Sequence, residues 1–117
     1  MYILIGGAGL VGLNLAQKLV ELGHTVAVID IDANACRYAR EQVGVMAFEG
    51  SAVSTETLIE AGIRKADSLA AVLRNDALNL ALVTLAKHYG VPHILSRMRH
   101  SDFTEPLRIA GASHIIS

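Results

Sequence analysis

The chain has 117 residues, 52% hydrophobic and 18% charged, which suits one domain with a buried core and excludes a disordered chain. Its formal net charge is -1, from 10 basic and 11 acidic side chains mixed along the length, so no electrostatic footprint for nucleic acid or anionic lipid is present. Mean hydropathy is high at +0.42, but Gly6, Gly7, Gly9, Gly12 and Asn14 interrupt the uncharged N-terminal stretch and no basic residue precedes it, so neither a membrane span nor a signal is expected.

Apolar runs of strand length alternate with helix-period segments from end to end. Residues 2–5, 25–29, 44–48, 68–73, 93–96 and 113–116 are the predicted strands. Their uncharged, β-branched composition fits burial on both faces, so the expected fold is α/β: a Rossmann-type doubly wound parallel sheet of six strands in the order 3-2-1-4-5-6. The first helix is predicted over residues 10–22, stopped by Gly23, and the second over 33–43, capped by Asp32 and stopped by Gly44. Ser54 is expected to cap a short third helix ending near Gly62, and Asn75 a long fourth ending at Gly90. A last helix is expected to start near Thr104, which places Pro106 in its first turn. Cys36, the only cysteine, excludes an internal disulfide and is expected to be a small buried residue.

The chemistry is concentrated at the first turn. Gly7-Ala8-Gly9-Leu10-Val11-Gly12 matches G-x-G-x-x-G directly after the first strand and at the opening of the first helix. In that context Gly7 permits the tight turn, Gly9 lets backbone approach a pyrophosphate and Gly12 lets the helix pack against the strand. Free N–H groups at the helix start supply an anion site without lysine. Asp30 follows the apolar second strand, where the fold places a carboxylate beside the adenosine ribose. It would repel a 2′-phosphate, and Ile31 and Asp32 offer no arginine in compensation, so NAD(H) is expected rather than NADP.

Beyond these motifs the chain has Glu49-Gly50-Ser51, Leu58-Ile59-Glu60-Ala61-Gly62-Ile63, Ala66-Asp67, Asn75-Asp76-Ala77-Leu78-Asn79-Leu80 and Ser96-Arg97. Together with the glycine loop and Val28-Ile29-Asp30, they resemble the KTN or RCK N-terminal domain of potassium-transport regulators over nearly the whole chain. The resemblance implies a single domain over residues 1–117 with a regulatory role and no catalysis. Nucleotide binding in paired domains would bias a potassium channel or transporter membrane subunit. It also implies a homodimer or higher ring oligomer, cytoplasmic and held at the inner face of the membrane through its partner, without direct insertion. Three departures modify this expectation. Leu10 stands where many members have an arginine that reaches the terminal phosphate of ATP, which favours NAD(H) and leaves ATP, ADP or AMP as alternatives. Ser51 replaces the usual aspartate that meets the adenine. The chain stops at Ser117, where a smaller C-terminal domain and a crossing helix are common.

The expected site thus comprises Gly7, Ala8, Gly9, Leu10, Val11, Gly12, Asp30, Ile31, Ser51, Ala52, Leu73, Arg74, Asn79 and Arg97, with no catalytic residue and no metal. For Asn79 a packing or capping role is as well founded as a ligand contact, and for Arg74 a solvated position is favoured. The five histidines show no i, i+4 pairing and no close carboxylate. On the fourth helix Leu78, Leu82, Leu85 and Tyr89 are expected to face the core, with Leu80 and Val83 on the outer side as a candidate subunit contact. The alternative function is the cofactor half of an NAD-dependent dehydrogenase. Against it, Tyr38 is followed by Gln42 rather than the lysine of a Tyr-x-x-x-Lys pair. A Rossmann domain with an empty site is a third reading.

Overall fold

The computed structural model describes all 117 residues, Met1–Ser117. Its six strands are β1 (Tyr2–Gly6), β2 (Thr25–Asp30), β3 (Met46–Glu49), β4 (Ser68–Ala71), β5 (His93–Arg97) and β6 (His114–Ile116). They form one sheet in the order β3-β2-β1-β4-β5-β6, and every pairing is parallel. The helices are α1 (Leu10–Glu21), α2 (Ala33–Tyr38), α3 (Thr55–Glu60), α4 (Asp76–His88) and α5 (Thr104–Ala110). None is long and apolar enough to cross a membrane.

Helices cover the two sheet faces unequally. One core joins Leu4, Ile29, Leu69 and Ile94 of the sheet to Leu58 of α3, Leu82, Val83 and Ala86 of α4, and Leu107 of α5. The other joins Ile3, Ile5, Val26, Val28 and Ala70 to Ala16 of α1 and Ala39 after α2. This division follows from right-handed crossovers: the chain runs outward from β1 to β3, returns to the other side of β1 and runs outward again to β6.

The expected caps are present. Asp32 accepts from the N–H groups of Asn34 at 2.8 Å and Ala35 at 3.2 Å, Ser54 from Thr57 at 3.4 Å and Asn75 from Leu78 at 2.9 Å. Pro106 lies in the first turn of α5. Several boundaries shift by one or two residues, among them the third strand, which is Met46–Glu49 rather than 44–48, and two of the differences have a visible cause. The second helix leaves α geometry after Tyr38 and closes as a π-helical turn over Ala39–Val43, where the Gly44 N–H reaches back to the Ala39 carbonyl at 2.9 Å. The fourth strand ends at Ala71 rather than Leu73, because the Asn79 side chain takes both the N–H and the carbonyl of Leu73.

The α4 surface is a correction. Val83 is fully buried, Leu80 is half-buried against the core and Leu78 is exposed, so Leu80 and Val83 do not form an outward apolar face. The buried positions are Asp76, Asn79, Leu82, Val83 and Ala86. Leu82 is the inward residue expected, Leu85 and Tyr89 pack against the core beside it, and the polar Asp76 and Asn79 widen the inward face beyond the line of leucines.

Candidate nucleotide site

The site is built where the order of the sheet reverses, above the carboxyl ends of β1 and β4. Three glycines shape its floor for different reasons. Gly7 has φ +116°, and a Cβ there would stand 3.0 Å from the Val72 carbonyl oxygen. At Gly12 a Cβ would fall 1.9 Å from the Gly7 carbonyl oxygen, so this position lets α1 lie against the loop. At Gly9 a Cβ would meet no atom within 4 Å. Internal packing therefore does not require glycine at position 9; the open space above it does suit a close-approaching ligand.

Gly9 is also the N-cap of α1, and no side chain bonds to the first turn of that helix. Its leading N–H groups and the positive end of its dipole face a crevice of about 490 Å³. Gly7 to Val11 form one wall, Asp30, Asp32 and Ala35 a second, and Val72, Leu73, Arg74, Arg97 and Arg99 a third. A narrower apolar slot of about 130 Å³ adjoins it, lined by Asp30, Ile31, Ser51, Ala52, Val53, Leu73 and Leu78. Asp30 borders both spaces. One of its carboxylate oxygens accepts from the Ala8 N–H and the other from the Asp32 N–H, each at 2.8 Å, which ties the glycine loop to the end of β2. Each oxygen retains acceptor capacity. Ser51 Oγ accepts from the Val53 N–H at 3.2 Å and retains its own proton to donate.

Most of the expected residues meet here. Asn79 does not line the crevice: it is fully buried, accepting from the Leu73 N–H at 2.9 Å and donating to the carbonyls of Leu73 at 3.0 Å and Arg97 at 3.3 Å. It supports the floor between β4 and β5, so its place among the expected ligand contacts gives way to the packing role weighed beside it. Asp76, one turn earlier on α4, escaped the sequence reading as a functional residue. Its buried carboxylate accepts from the N–H groups of Arg99 and His100, both at 2.9 Å. Burial opposes its ionisation, but the two N–H donors and the nearby His100 and Arg99 charges outweigh this and hold its pKa below the ordinary aspartate value. Arg99 was missed as well, since nothing in the local pattern marks a loop residue as converging with Arg74 and Arg97.

Cys36 is buried beside the site, and its thiol points to the carbonyls of Asp30 at 3.5 Å and Phe48 at 3.7 Å. Burial and the Asp30 charge push its pKa up, so it is held as an unreactive thiol. No three His, Cys, Asp or Glu side chains are grouped to hold a metal ion.

Residues 3–117 match the family model of the TrkA-N domain. The chain belongs to the TrkA-N domain family. A Trk system potassium uptake protein TrkA homolog from Methanothermobacter thermautotrophicus is 35% identical over 117 residues, which is all of this chain and 54% of that protein. The TrkA-N chain thus spans about half the length of this relative. Among solved structures, the TrkA-N domain of the inner membrane protein ybaL from Escherichia coli superposes with a TM-score of 0.92 at 25% identity, over 98% of this chain and 85% of that one. The GsuK channel bound to NAD superposes with a TM-score of 0.87 at 25% identity, over 98% of this chain and 21% of that one. The matched fold confirms the Rossmann-type arrangement expected from the sequence.

Proposed function

We propose that residues 1–117 form a single domain that binds NAD(H) and serves as the nucleotide-responsive part of a potassium transport system. The observation that carries this reading is the juxtaposition of an uncapped helix start, an open position above Gly9 and the Asp30 carboxylate around one crevice. In this assignment the N–H groups at the start of α1 bind the pyrophosphate, Asp30 accepts from the adenosine ribose hydroxyls, and the slot beside Ile31, Ser51 and Leu78 takes the adenine. The NAD-bound GsuK channel and the potassium-uptake name of the Methanothermobacter relative support both halves of the proposal.

The role is regulatory rather than enzymatic. A ligand bound across two arrangements of paired domains shifts their balance by its difference in affinity for each. The domain then acts through a potassium channel or transporter membrane subunit, as a dimer or ring on the cytoplasmic side. Sedimentation with and without NADH tests the assembly: a strict monomer at high concentration in both states would leave a binding module without a gate.

Thermal unfolding tests the ligand. At one hundred times Kd, NAD(H) is expected to stabilise the domain by about 2.7 kcal/mol, or roughly 10 °C in Tm, with no comparable shift from NADP. Equal shifts from the two would remove Asp30 from the ribose site. ADP, ATP and AMP belong in the same series because they share the adenosine half.

A further inference from the structure

The crevice is electrically divided. Asp30 and Asp32 stand on the β2 side, while Arg74, Arg97 and Arg99 stand on the β4 and β5 side. Arg74 follows β4, while Arg97 ends β5 and Arg99 lies two residues further on, and the first turns of α4 fix the backbone of the latter two. Asn79 takes the carbonyls of Leu73 and Arg97, which orders the ends of β4 and β5. Asp76 takes the N–H groups of Arg99 and His100, which orders the loop after β5. A buried carboxylate is costly unless fully bonded. Here its bonds go to the backbone of Arg99 and of the residue after it, and their effect is to hold an exposed arginine at the rim of the crevice. Leu10, at the start of α1, contributes no charge to the same space.

Resting on the nucleotide reading above, we infer that Arg99, positioned by Asp76, is a selectivity residue that reads charge on the part of the ligand beyond its first phosphate. With the adenosine on the Asp30 side, each further negative group extends toward the arginines. AMP ends at its single phosphate, whereas ADP carries a second. In the two redox forms of the dinucleotide, the nicotinamide ring is cationic in NAD+ and neutral in NADH. The arginine side therefore ranks ADP above AMP and NADH above NAD+. Arg74 and Arg97 add to the same field; Asn79 holds the Arg97 carbonyl, and Arg99 is singled out because a buried carboxylate holds its own N–H and the next one.

Titration calorimetry on the domain with AMP, ADP, NAD+ and NADH tests the inference. For the unaltered chain ADP is expected to bind about tenfold tighter than AMP, and NADH about threefold tighter than NAD+. In Arg99→Gln both ratios are expected to fall to about twofold or less, since the amide keeps a donor and loses the charge. Asp76→Asn is expected to lower the ADP to AMP ratio in parallel, as its NH2 group opposes one of the N–H donors. An unchanged ADP to AMP ratio in Arg99→Gln overturns the assignment. A lowered Tm with an unchanged ratio in Asp76→Asn overturns the positioning role. AMP binding with a ratio near one in the unaltered chain sinks the inference alone, whereas failure of every nucleotide, AMP included, sinks the site reading with it.

Discussion

Asp30 holds two backbone N–H groups at 2.8 Å in addition to its proposed ribose contacts, so its removal acts twice. Asp30→Ala is expected to cost about 1.5–3 kcal/mol of binding, ten- to a hundredfold in Kd, and to lower Tm because the Ala8 and Asp32 donors lose their partner. Unchanged affinity by calorimetry in a folded variant would place the ribose elsewhere. Gly9 and Gly12 separate ligand approach from packing more sharply. Gly9 has φ -79° and open space where a Cβ would stand. Gly9→Ala is therefore expected to keep or slightly raise stability, by about 0.5 kcal/mol, while weakening NADH at least tenfold. Gly12→Ala drives a Cβ onto the Gly7 carbonyl oxygen and should cost more than about 3 kcal/mol by denaturant unfolding. Nucleotide loss without instability at position 12 would contradict this division. The turn at Gly7 and the packing at Gly12 were legible because the motif's neighbours, a strand before and a helix after, set those tasks; the role of Gly9 is a proposal that the variant tests. Asp76 was not legible: its partners, Arg99 and His100, are set by the fold and lie more than twenty residues away.

Among the elements, α4 is located as expected and its inward face only in part: Leu82 is buried and Leu85 and Tyr89 pack against the core as expected, whereas Leu78 does not. The helix cap at Asn75 and the end before Gly90 follow from local chemistry, and both are as expected. Its inward direction was read from the line Leu78, Leu82, Leu85 and Tyr89, because apolar side chains usually mark the core. The actual inward residues include Asp76 and Asn79, which are buried to satisfy backbone groups at the ends of β4 and β5. Leu78 is free of the core and lines the apolar slot instead. Asn79→Ala strands the N–H and carbonyl of Leu73 and weakens the support of Arg97, so a loss of about 2–4 kcal/mol is expected in chemical denaturation. A loss below about 1 kcal/mol would show that water replaces the amide. Asp76 gives α4 a pH signature. Its pKa is lowered in the folded state, so its contribution is complete above the ordinary aspartate value and disappears as pH falls below about 4. Denaturation between pH 6 and 3 should show a loss of stability that Asp76→Asn makes shallower; an identical slope in the variant would assign the acid sensitivity to other carboxylates.

For the molecule as a whole, strand order was legible because six apolar runs alternate with five helical segments, and right-handed crossovers leave few arrangements of such a chain. The convergence of Arg99 on the crevice was not, since it depends on where the loop after β5 lies relative to β4. That order also divides the sheet into two units, β1 to β3 with α1 and α2, and β4 to β6 with α4 and α5. Within the sheet they meet only along the β1 and β4 seam, a register of four residue pairs from Ile3–Ser68 to Gly6–Ala71. The proposed ligand would rest on the loop that leaves one side of this seam and on the loop that leaves the other. Bound there, it would act as a latch across this joint between the two units, and the slowing of amide exchange that it causes would reach β4 as well as β2, on both sides of the seam.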